Sequence, residues 1–502
     1  MSQETIAYST EVTKQKSTTI TPQLRKVIAL ESLSNRTTVT EIAQTHGISR
    51  KSVHAQKNKA LSEIDEAFQG DQAEDNEKVL FTINVTKSWL RQFIICLVLC
   101  CHSSFRGIIE VFSTLIDTDI SLGTIHNVVT EAVAKARLIN AQEDLSGIRR
   151  GALDEIFQGS KPVLVGNDPD SLYTYLLQAT SNRDGDTWGY HLLELQERGF
   201  NPDYTIADFG KGLRKGQELA FPGVPCYGDV FHAEMDMGKL SRLLDNKAYS
   251  TIAAHDKMEK AMARSKKKNQ GNKYSKKLSA ARTKMHQAIQ LADDISTLAS
   301  WLWETLAISG PSFETRKEVL EFIIQELQNL EPQCPYRIKP VRLKLANHVD
   351  ELLGFAKLLD EALLKLGAKL QISSADLRAL LMLEGKGYDD PSYWEMEQDL
   401  WTKFGDKFYK ARQELRKIMA SVTRASSCVE NLNSRLRPYF FLRKRVGEES
   451  LELLRFFLNH KRFSRSRVSH RRGWSPAELL QKRRLPHWIE MLGFEKFQRA
   501  VA

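Results

Sequence analysis

The sequence has few cysteines, no long apolar run and no secretory leader pattern. Its six cysteines are irregularly spaced and include no Cys-x-x-Cys pair, which argues against a disulfide framework and a zinc ribbon. The apolar run Phe93–Cys101 is less than half of the ~20 residues that a membrane-spanning helix needs, so it predicts a buried helix. The N-terminus lacks the positive region and apolar stretch of a signal peptide, and we expect a cytoplasmic protein.

Positive charge, in contrast, is abundant and localised. The 502 residues carry 72 Lys and Arg against 62 Asp and Glu, a net charge of +10. The segment Lys257–Lys284 holds eleven basic residues and one acid, and Arg435–Arg472 holds twelve and three. The rest of the chain is therefore net acidic. A localised basic excess favours a polyanionic partner, most often nucleic acid, with a solvated surface as the alternative.

Helical periodicity begins after a Ser/Thr-rich tail over residues 1–20. Within 21–70, small Ala43, turn Gly47 and apolar Val53 have the spacing of a helix-turn-helix, in which Ser49 caps the second helix. We expect that helix to present five polar residues to a DNA groove: Arg50, Lys51, His54, Gln56 and Lys57. Simple packing of a helical hairpin is the alternative.

A second helical segment, 79–150, repeats the order of helix, turn and capped helix with less charge. Its pattern leaves DNA contact and a structural role equally open. From Gly151 the pattern changes to short apolar runs separated by turn residues. It predicts strands at 152–157, 162–166, 173–179, 204–209 and 224–230, with helices at 187–198 and 211–220.

Three consecutive strands followed by alternating helix and strand is the order of a ribonuclease-H-like α/β layer. We therefore predict a ribonuclease-H-like core with a mixed five-stranded sheet, formed by residues 151–244 and 423–502. The long helical patterns between them predict an all-helical insertion over 245–422, which contains the first basic segment.

Three acids would meet in such a layer: Asp154 in the first strand, Asp208 at the end of the fourth, and Glu430 on a late helix. Carboxylates are ligands that Mg²⁺ prefers, and two such ions support in-line attack on a phosphodiester. Glu155 would point to the opposite face of its strand. Asp229, which ends the fifth predicted strand, is a rival for the second position.

Three short blocks resemble one known family. They are Asp208-Phe-Gly-Lys-Gly-Leu with Asp229-Val-Phe-His232, then Glu430-Asn-Leu-Asn433-Ser-Arg-Leu-Arg437, and finally Ser475-Pro-Ala-Glu. Within roughly residues 100–480 the chain is similar to the Mutator-like DDE transposases of bacterial insertion sequences. The resemblance implies that Asp154, Asp208 and Glu430 hold two Mg²⁺ ions, which Mn²⁺ can replace. It also assigns Asp229 to an Asp-x-x-His signature. We expect His232 to brace the site by hydrogen bonding rather than to act as a proton donor or zinc ligand, because the sequence shows no clustered Cys or His partners.

Helical spacing agrees with the second block. Glu430, Asn433 and Arg437 share one face at i, i+3 and i+7, while apolar residues form the opposite stripe. The carboxylate can then face a metal ion while Asn433 and Arg437 face phosphate. Further phosphate contacts are expected from the two basic segments: Lys266, Lys267, Lys268, Lys461, Arg462, Arg465 and Arg467.

Together these patterns predict a transposase that cleaves transposon ends and joins them to target DNA. Its expected partner is double-stranded DNA, and pairing of two ends implies at least a dimer during synapsis. Two alternatives remain open from the sequence. One is a DNA-binding regulator without catalysis, and the other is a ribonuclease-H-like nuclease or junction resolvase without joining activity.

Overall fold

The computed structural model describes residues 20–68, 83–266, 272–424, 427–442, 447–466 and 468–495. The predicted tail up to residue 19, the predicted DNA contacts Lys267, Lys268 and Arg467, and the side chain of Lys266 lie outside the described residues. The chain divides into two compact units, Met1–Val85 and Thr86–Ala502.

The first unit contains α1 (Pro22–Leu33), α2 (Val39–Thr45) and α3 (Arg50–Phe68). A capping box begins α2, because the Thr38 hydroxyl accepts from the Glu41 N–H while the Glu41 carboxylate accepts from the Thr38 N–H. Gly47 has φ +62° in the connection to α3, a conformation that favours glycine. Buried Ile28, Ile42 and Val53 hold the three helices together.

The second unit is built on a sheet. It begins with α4 (Lys87–Cys100), α5 (Phe105–Ile116) and α6 (Leu122–Gln142). Next come β1 (Arg150–Gln158), β2 (Lys161–Asn167), β3 (Thr174–Ala179), α7 (Gly185–Glu197), β4 (Tyr204–Ala207), α8 (Lys211–Ala220) and β5 (Cys226–Gly228). The strand order is β3-β2-β1-β4-β5, with β1, β4 and β5 parallel and β2 antiparallel to both of its neighbours. The predicted mixed five-stranded sheet is confirmed.

Alternate residues of β1 serve two different cores. Ala152 and Ile156 pack in one cluster with α4–α6 and with two later helices, α18 (Ser427–Leu442) and α19 (Glu448–His460). Leu153 packs on the other face, in a cluster with α7 and α8 that includes Trp188. The second helical segment is therefore part of the layer that covers the sheet, in keeping with the structural role that the sequence left open.

Helices fill the stretch between β5 and α18. They are α9 (Val230–Lys266), α10 (Asn272–Leu306), α11 (Phe313–Leu330), α12 (Pro335–Ala346), α13 (Val349–Leu352), α14 (Gly354–Leu370), α15 (Ser374–Glu384), α16 (Pro391–Phe404) and α17 (Phe408–Ser421). The helical region begins at Val230, which the sequence assigned to a strand. Two apolar clusters of its own stabilise it, one around α9 to α12 and one around α14 to α17.

The C-terminal part adds α20 (Pro476–Gln481) and α21 (Trp488–Met491). Single turns of 3₁₀ helix occur at Glu331–Gln333, Gly405–Lys407 and Ser469–Arg471. The apolar run predicted to form a buried helix lies in α4, where Ile94, Ile95 and Val98 are buried. Across the described ranges, no helix has both the length and the apolar character to cross a membrane.

Candidate active site

Two of the predicted acids lie level with each other on adjacent parallel strands. The register pairs Leu153 of β1 with Ala207 of β4, so the next residues, Asp154 and Asp208, reach the same height. Neighbouring strands are about 4.8 Å apart, which puts the two acids side by side at the backbone. Ala207 in turn pairs with Gly228 of β5, so Asp229 extends the row.

The third acid arrives on α18, which packs against β1 and β2. Val429, Leu432 and Leu436 are buried in the shared core and fix the rotation of the helix. Glu430 is half-buried on the adjoining face. The structure therefore brings α18 to the strand that carries Asp154, although 276 residues separate Asp154 from Glu430.

Asn433 has a different partner from the one expected. It is buried, and its Nδ2 donates to Asp154 Oδ2 at 3.0 Å, so it contacts the carboxylate rather than facing phosphate. Its Oδ1 has no hydrogen-bond partner among the described residues. Arg437, one turn further along α18, is exposed and accessible to a ligand.

Asp229, at the β5 end of the row, forms a pair with His232 in the first turn of α9. Asp229 is fully buried, its Oδ1 accepts from the Phe231 N–H at 2.8 Å, and its Oδ2 lies 2.9 Å from His232 Nδ1. Both carboxylate oxygens are thus engaged by the start of α9. Asp208 is half-buried, and its Oδ1 accepts from the Gly210 N–H at 2.9 Å. Of the two rivals for the second position, Asp208 is the more accessible.

The electrostatics show that these groups act on one another. Burial raises the pKa of Asp154 to about 7, and the carboxylates of Asp208 and Glu430 add to the rise, against the opposing effects of the Glu155 N–H and His232. The hydrogen bond to Asp229 raises the pKa of His232 above its ordinary value, with a contribution from Asp154 and Asp208. Because coulombic effects weaken with distance, these shifts agree with the placement of the acids by the strand register and by the packing of α18.

Glu155 faces away from this site, as strand alternation predicts. Its Oε2 accepts from Arg183 Nη1 at 3.0 Å and its Oε1 from Trp188 Nε1 at 3.1 Å, on the side of the sheet covered by α7. Asp154 is thus the acid of β1 that belongs to the candidate site.

The donor set suits a divalent cation. Three carboxylates and Asn433 Oδ1, for which the described residues supply no hydrogen-bond partner, are hard oxygen donors. Burial is the main cause of the raised pKa of Asp154, and a bound cation would oppose the further rise that Asp208 and Glu430 cause. Asp154, Asp208 and Glu430 do not, however, bring oxygens within 4.8 Å of one another as a set of three. Two ligands of one Mg²⁺ lie at most about 4.2 Å apart, so capture of a single ion by all three requires movement. Two ions about 3.5–4 Å apart span a wider set.

A different group does meet the 4.8 Å spacing among the described residues: His255, Asp256 and Glu259 on α9. Its two acids are exposed, and clusters of this kind are common on helices without an ion. It lies far along α9 from the first turn that carries His232, and we give it no role.

The predicted DNA contacts differ in their surroundings. On α3, Arg50, Lys51 and His54 are exposed, whereas Gln56 and Lys57 are half-buried. The Lys57 ammonium donates to Asn35 Oδ1 at 3.4 Å.

In the C-terminal basic segment, Lys461 and Arg465 are exposed. Arg462 instead binds the buried Glu478 of the Ser-Pro-Ala-Glu block, through Nε at 3.1 Å and Nη2 at 2.6 Å. Its guanidinium is committed to a protein partner.

The sequence did not predict a basic groove that lies beside the carboxylates. It measures about 660 Å³ and includes Arg183, Lys211 and Lys215 in its lining. Both lysines belong to the run Lys211-Gly-Leu-Arg-Lys215, which begins three residues after Asp208. This local signal was present in the sequence. Arg183 reaches the same groove only through the pairing of β1, β2 and β3, which no local pattern reveals.

No protein-family model matches this chain, and no curated protein matches it significantly.

Proposed function

We propose that the chain is a DDE-type DNA transposase, which cleaves DNA at transposon ends and joins the freed ends to target DNA. One observation supports this most directly. Asp154 and Asp208 follow residues paired in register on adjacent parallel strands, and the helix of Glu430 packs on the first of those strands. The strand order β3-β2-β1-β4-β5, with β2 antiparallel, is also the one expected for a ribonuclease-H-like core.

In this proposal Asp154, Asp208 and Glu430 hold two divalent cations. When bound, such ions activate an oxygen nucleophile and stabilise the leaving oxygen of an in-line displacement. Asn433 fixes the Asp154 carboxylate through the 3.0 Å hydrogen bond. Exposed Arg437, on the same helix as Glu430, supplies positive charge to a phosphate of the bound strand.

The reaction has two displacements at phosphorus. A water oxygen attacks the scissile phosphate, and the P–O bond to the 3′ oxygen breaks, leaving a 3′-hydroxyl and a 5′-phosphate. That 3′-hydroxyl then attacks a phosphodiester of target DNA and displaces its 3′ oxygen. No covalent link between protein and DNA is required, so no side-chain nucleophile is assigned.

The exposed face of α3 is the proposed reader of DNA ends. Arg50, Lys51 and His54 present two permanent charges and an imidazole on one helix after the glycine turn. This arrangement suits a helix that enters the major groove.

The test uses the full-length protein and DNA from the two flanks of its coding region, where the terminal repeats would lie. With Mg²⁺ we expect strand cleavage and joined product, both lost in Asp208→Asn and retained in Asp399→Asn, which alters an exposed acid of α16. Binding of the flank DNA persists in Asp208→Asn. Binding without any acid-dependent cleavage would favour the regulator instead. Cleavage without joining, when a pre-cut 3′-hydroxyl end is supplied, would favour a nuclease.

A further inference from the structure

The basic groove lies between three segments of the second unit. The tip of the β1–β2 hairpin contributes Phe157 and Ser160, the loop after β3 contributes residues 181–185, and the first turns of α8 contribute Lys211 and Lys215. Lys211 is three residues after Asp208, so one end of the groove borders the candidate active site.

Two glycines hold the groove in shape. A Cβ added to Gly212 would meet the Arg183 carbonyl oxygen at 2.1 Å, and a Cβ added to Gly185 would meet the Lys215 side chain at 2.6 Å. The loop after β3 and the start of α8 are therefore in direct contact and form one continuous wall. A larger residue at either position would separate them.

Arg183 is held in place and yet remains available. Its guanidinium lies 5.4 Å from the centre of the Phe157 ring and pairs with the Glu155 carboxylate at 3.0 Å. Glu155 is 13% exposed whereas Arg183 is 63% exposed, so the anchor is inside and the charge faces solvent. The hydrogen bond to Glu155 raises the pKa of Arg183, so the guanidinium keeps its positive charge.

The two lysines are also accessible. Lys211 and Lys215 are both exposed. The Lys215 ammonium lies 3.6 Å from the exposed Asp186, a surface pair of little energetic value that a phosphate can replace. The acid that lines the groove, Asp184, already accepts hydrogen bonds from the Thr187 N–H and hydroxyl at the start of α7. The accessible charge is thus mainly positive.

We propose that this groove binds the phosphodiester backbone of DNA next to the phosphate that reacts at the carboxylates, with Arg183, Lys211 and Lys215 as the phosphate contacts. The three cations come from two separate segments that line a groove of about 660 Å³, a volume larger than one phosphate group, and this suits a chain of phosphates better than a single small anion. Contacts of this type position a strand without reading its bases. The location of the reacting phosphate rests on the proposed function; the binding of backbone does not.

The experiment measures binding of a fluorescent DNA duplex of arbitrary sequence by full-length protein, with divalent cations chelated. A plot of the logarithm of the binding constant against the logarithm of the salt concentration has a negative slope. Loss of one phosphate contact reduces the magnitude of that slope by about 0.9. We expect the magnitude of the slope of Lys211→Gln/Lys215→Gln to fall by about 2 between about 50 and 200 mM salt, and adding Arg183→Gln to lower it by about 1 more. Affinity falls alike for unrelated sequences.

The matched control is Lys365→Gln/Lys410→Gln, which removes two exposed lysines of the helical region. Its slope stays that of the wild type. An unchanged slope in the groove variant, with the fold intact by circular dichroism, overturns the proposal. A second probe is duplex RNA. If the groove variant binds RNA more weakly but binds DNA as the wild type does, the proposal is also overturned.

The outcome is separable from the test of catalysis. If Asp208→Asn shows that the carboxylates are inert, a reduced slope in the groove variant still establishes the backbone contact. If cleavage depends on the acids but the slope is unchanged, the groove alone loses its assignment.

Discussion

Two buried carboxylates of the second unit have opposite surroundings. Asp154 on β1 and Glu478 at the start of α20 are 6% and 1% exposed. Burial alone would raise the pKa of both. The pKa of Asp154 does rise, to about 7, whereas the pKa of Glu478 falls to about 2. Burial raises the pKa of both acids, and the difference between them comes from the partners that offset burial at Glu478 but not at Asp154.

Hydrogen-bond donors occupy both carboxylate oxygens of Glu478. Burial opposes ionisation, but Arg462 binds both oxygens, and the backbone N–H groups of Leu485 and Ser475 donate at 3.0 and 2.9 Å. Arg484 lies 3.4 Å away as a second cation. Glu478 thus ties the chain after α19 to α20 and the segment that follows it, which is the role of a structural acid.

Asp154 has fewer hydrogen-bond donors than Glu478, and none of them is a cation among the described residues. It accepts from one backbone N–H and one neutral amide, that of Asn433, and two further carboxylates repel it. No cation in the described residues forms an ion pair with it. Burial that is offset only by one N–H group, one amide and His232 favours a functional acid over a structural one.

The largest effect expected from this contrast is on the free energy of unfolding. We expect Glu478→Gln to lower the free energy of unfolding by about 1.5–3 kcal/mol, because the buried carboxylate loses its charge-assisted hydrogen bonds from the 39% exposed Arg462 and from two backbone N–H groups. Asp154→Asn should not lower it, since the amide keeps the shape and removes an unfavourable buried charge. Urea unfolding measures both, with exposed Glu395→Gln and Asp399→Asn as controls. Equal losses in the two site variants would contradict the contrast.

The pH dependence should have opposite signs at the two acids. Because its pKa is lowered from 4.5 to about 2, Glu478 contributes stability that is present above pH 4.5 and is lost as the pH falls toward 2. Asp154, raised from 3.8 to about 7, contributes stability that is present below pH 3.8 and is lost as the pH rises through 7.

These signs predict how each variant compares with the wild type when divalent cations are chelated. The stability gained by Asp154→Asn should grow from about pH 4 to about pH 7, to the order of a few kcal/mol. The loss in Glu478→Gln should be constant over that upper range and shrink at lower pH. Urea titrations at several pH values measure both curves. A gain for Asp154→Asn that is independent of pH would show that its carboxyl group keeps an ordinary pKa.

Sequence patterns found the parts of this fold that local periodicity specifies. The helix predicted at 211–220 is α8 as observed, and the first three strands agree to within two residues. The fifth strand was predicted to run to Val230, but α9 begins there, and the Val230 N–H donates to the carbonyl of Arg424. A contact with a residue 194 positions away leaves no local pattern.

The candidate site likewise combines residues that sequence patterns identify with contacts that they do not. The choice of Asp154, Asp208 and Glu430 rests on the predicted strands together with the family resemblance of their neighbours, because three acids among 62 do not identify a site by themselves. The partner of Asn433 was not, because the spacing of α18 gives the face of the helix but not what lies opposite it. Glu478 was noted only as part of a short motif, and its pairing with Arg462 depends on the turn between α19 and α20.

The smallest expected effect concerns Asn433, which separates orientation of the carboxylate from its charge. Asn433→Leu removes the donor to Asp154 Oδ2 while it preserves a similar volume in the core. Loss of a group that orients a metal ligand typically costs 10–100-fold in activity or metal affinity, and we expect a reduction of about that size in cleavage rate. Raising the Mg²⁺ concentration should recover part of the rate, which a purely structural defect would not allow.

The control for this variant is Asn431→Ala, an exposed asparagine on the same helix, for which we expect the wild-type rate. Asn433→Asp adds a different test, because it places a fourth carboxylate against Asp154 and removes the only side-chain donor seen on Asp154 in the described residues. If repulsion among acids dominates the site, Asn433→Asp should be slower than Asn433→Leu at low Mg²⁺ and gain more from added Mg²⁺. Equal rates at every Mg²⁺ concentration would mean that Asn433 serves packing and that the weak compensation of Asp154 has no bearing on cation binding.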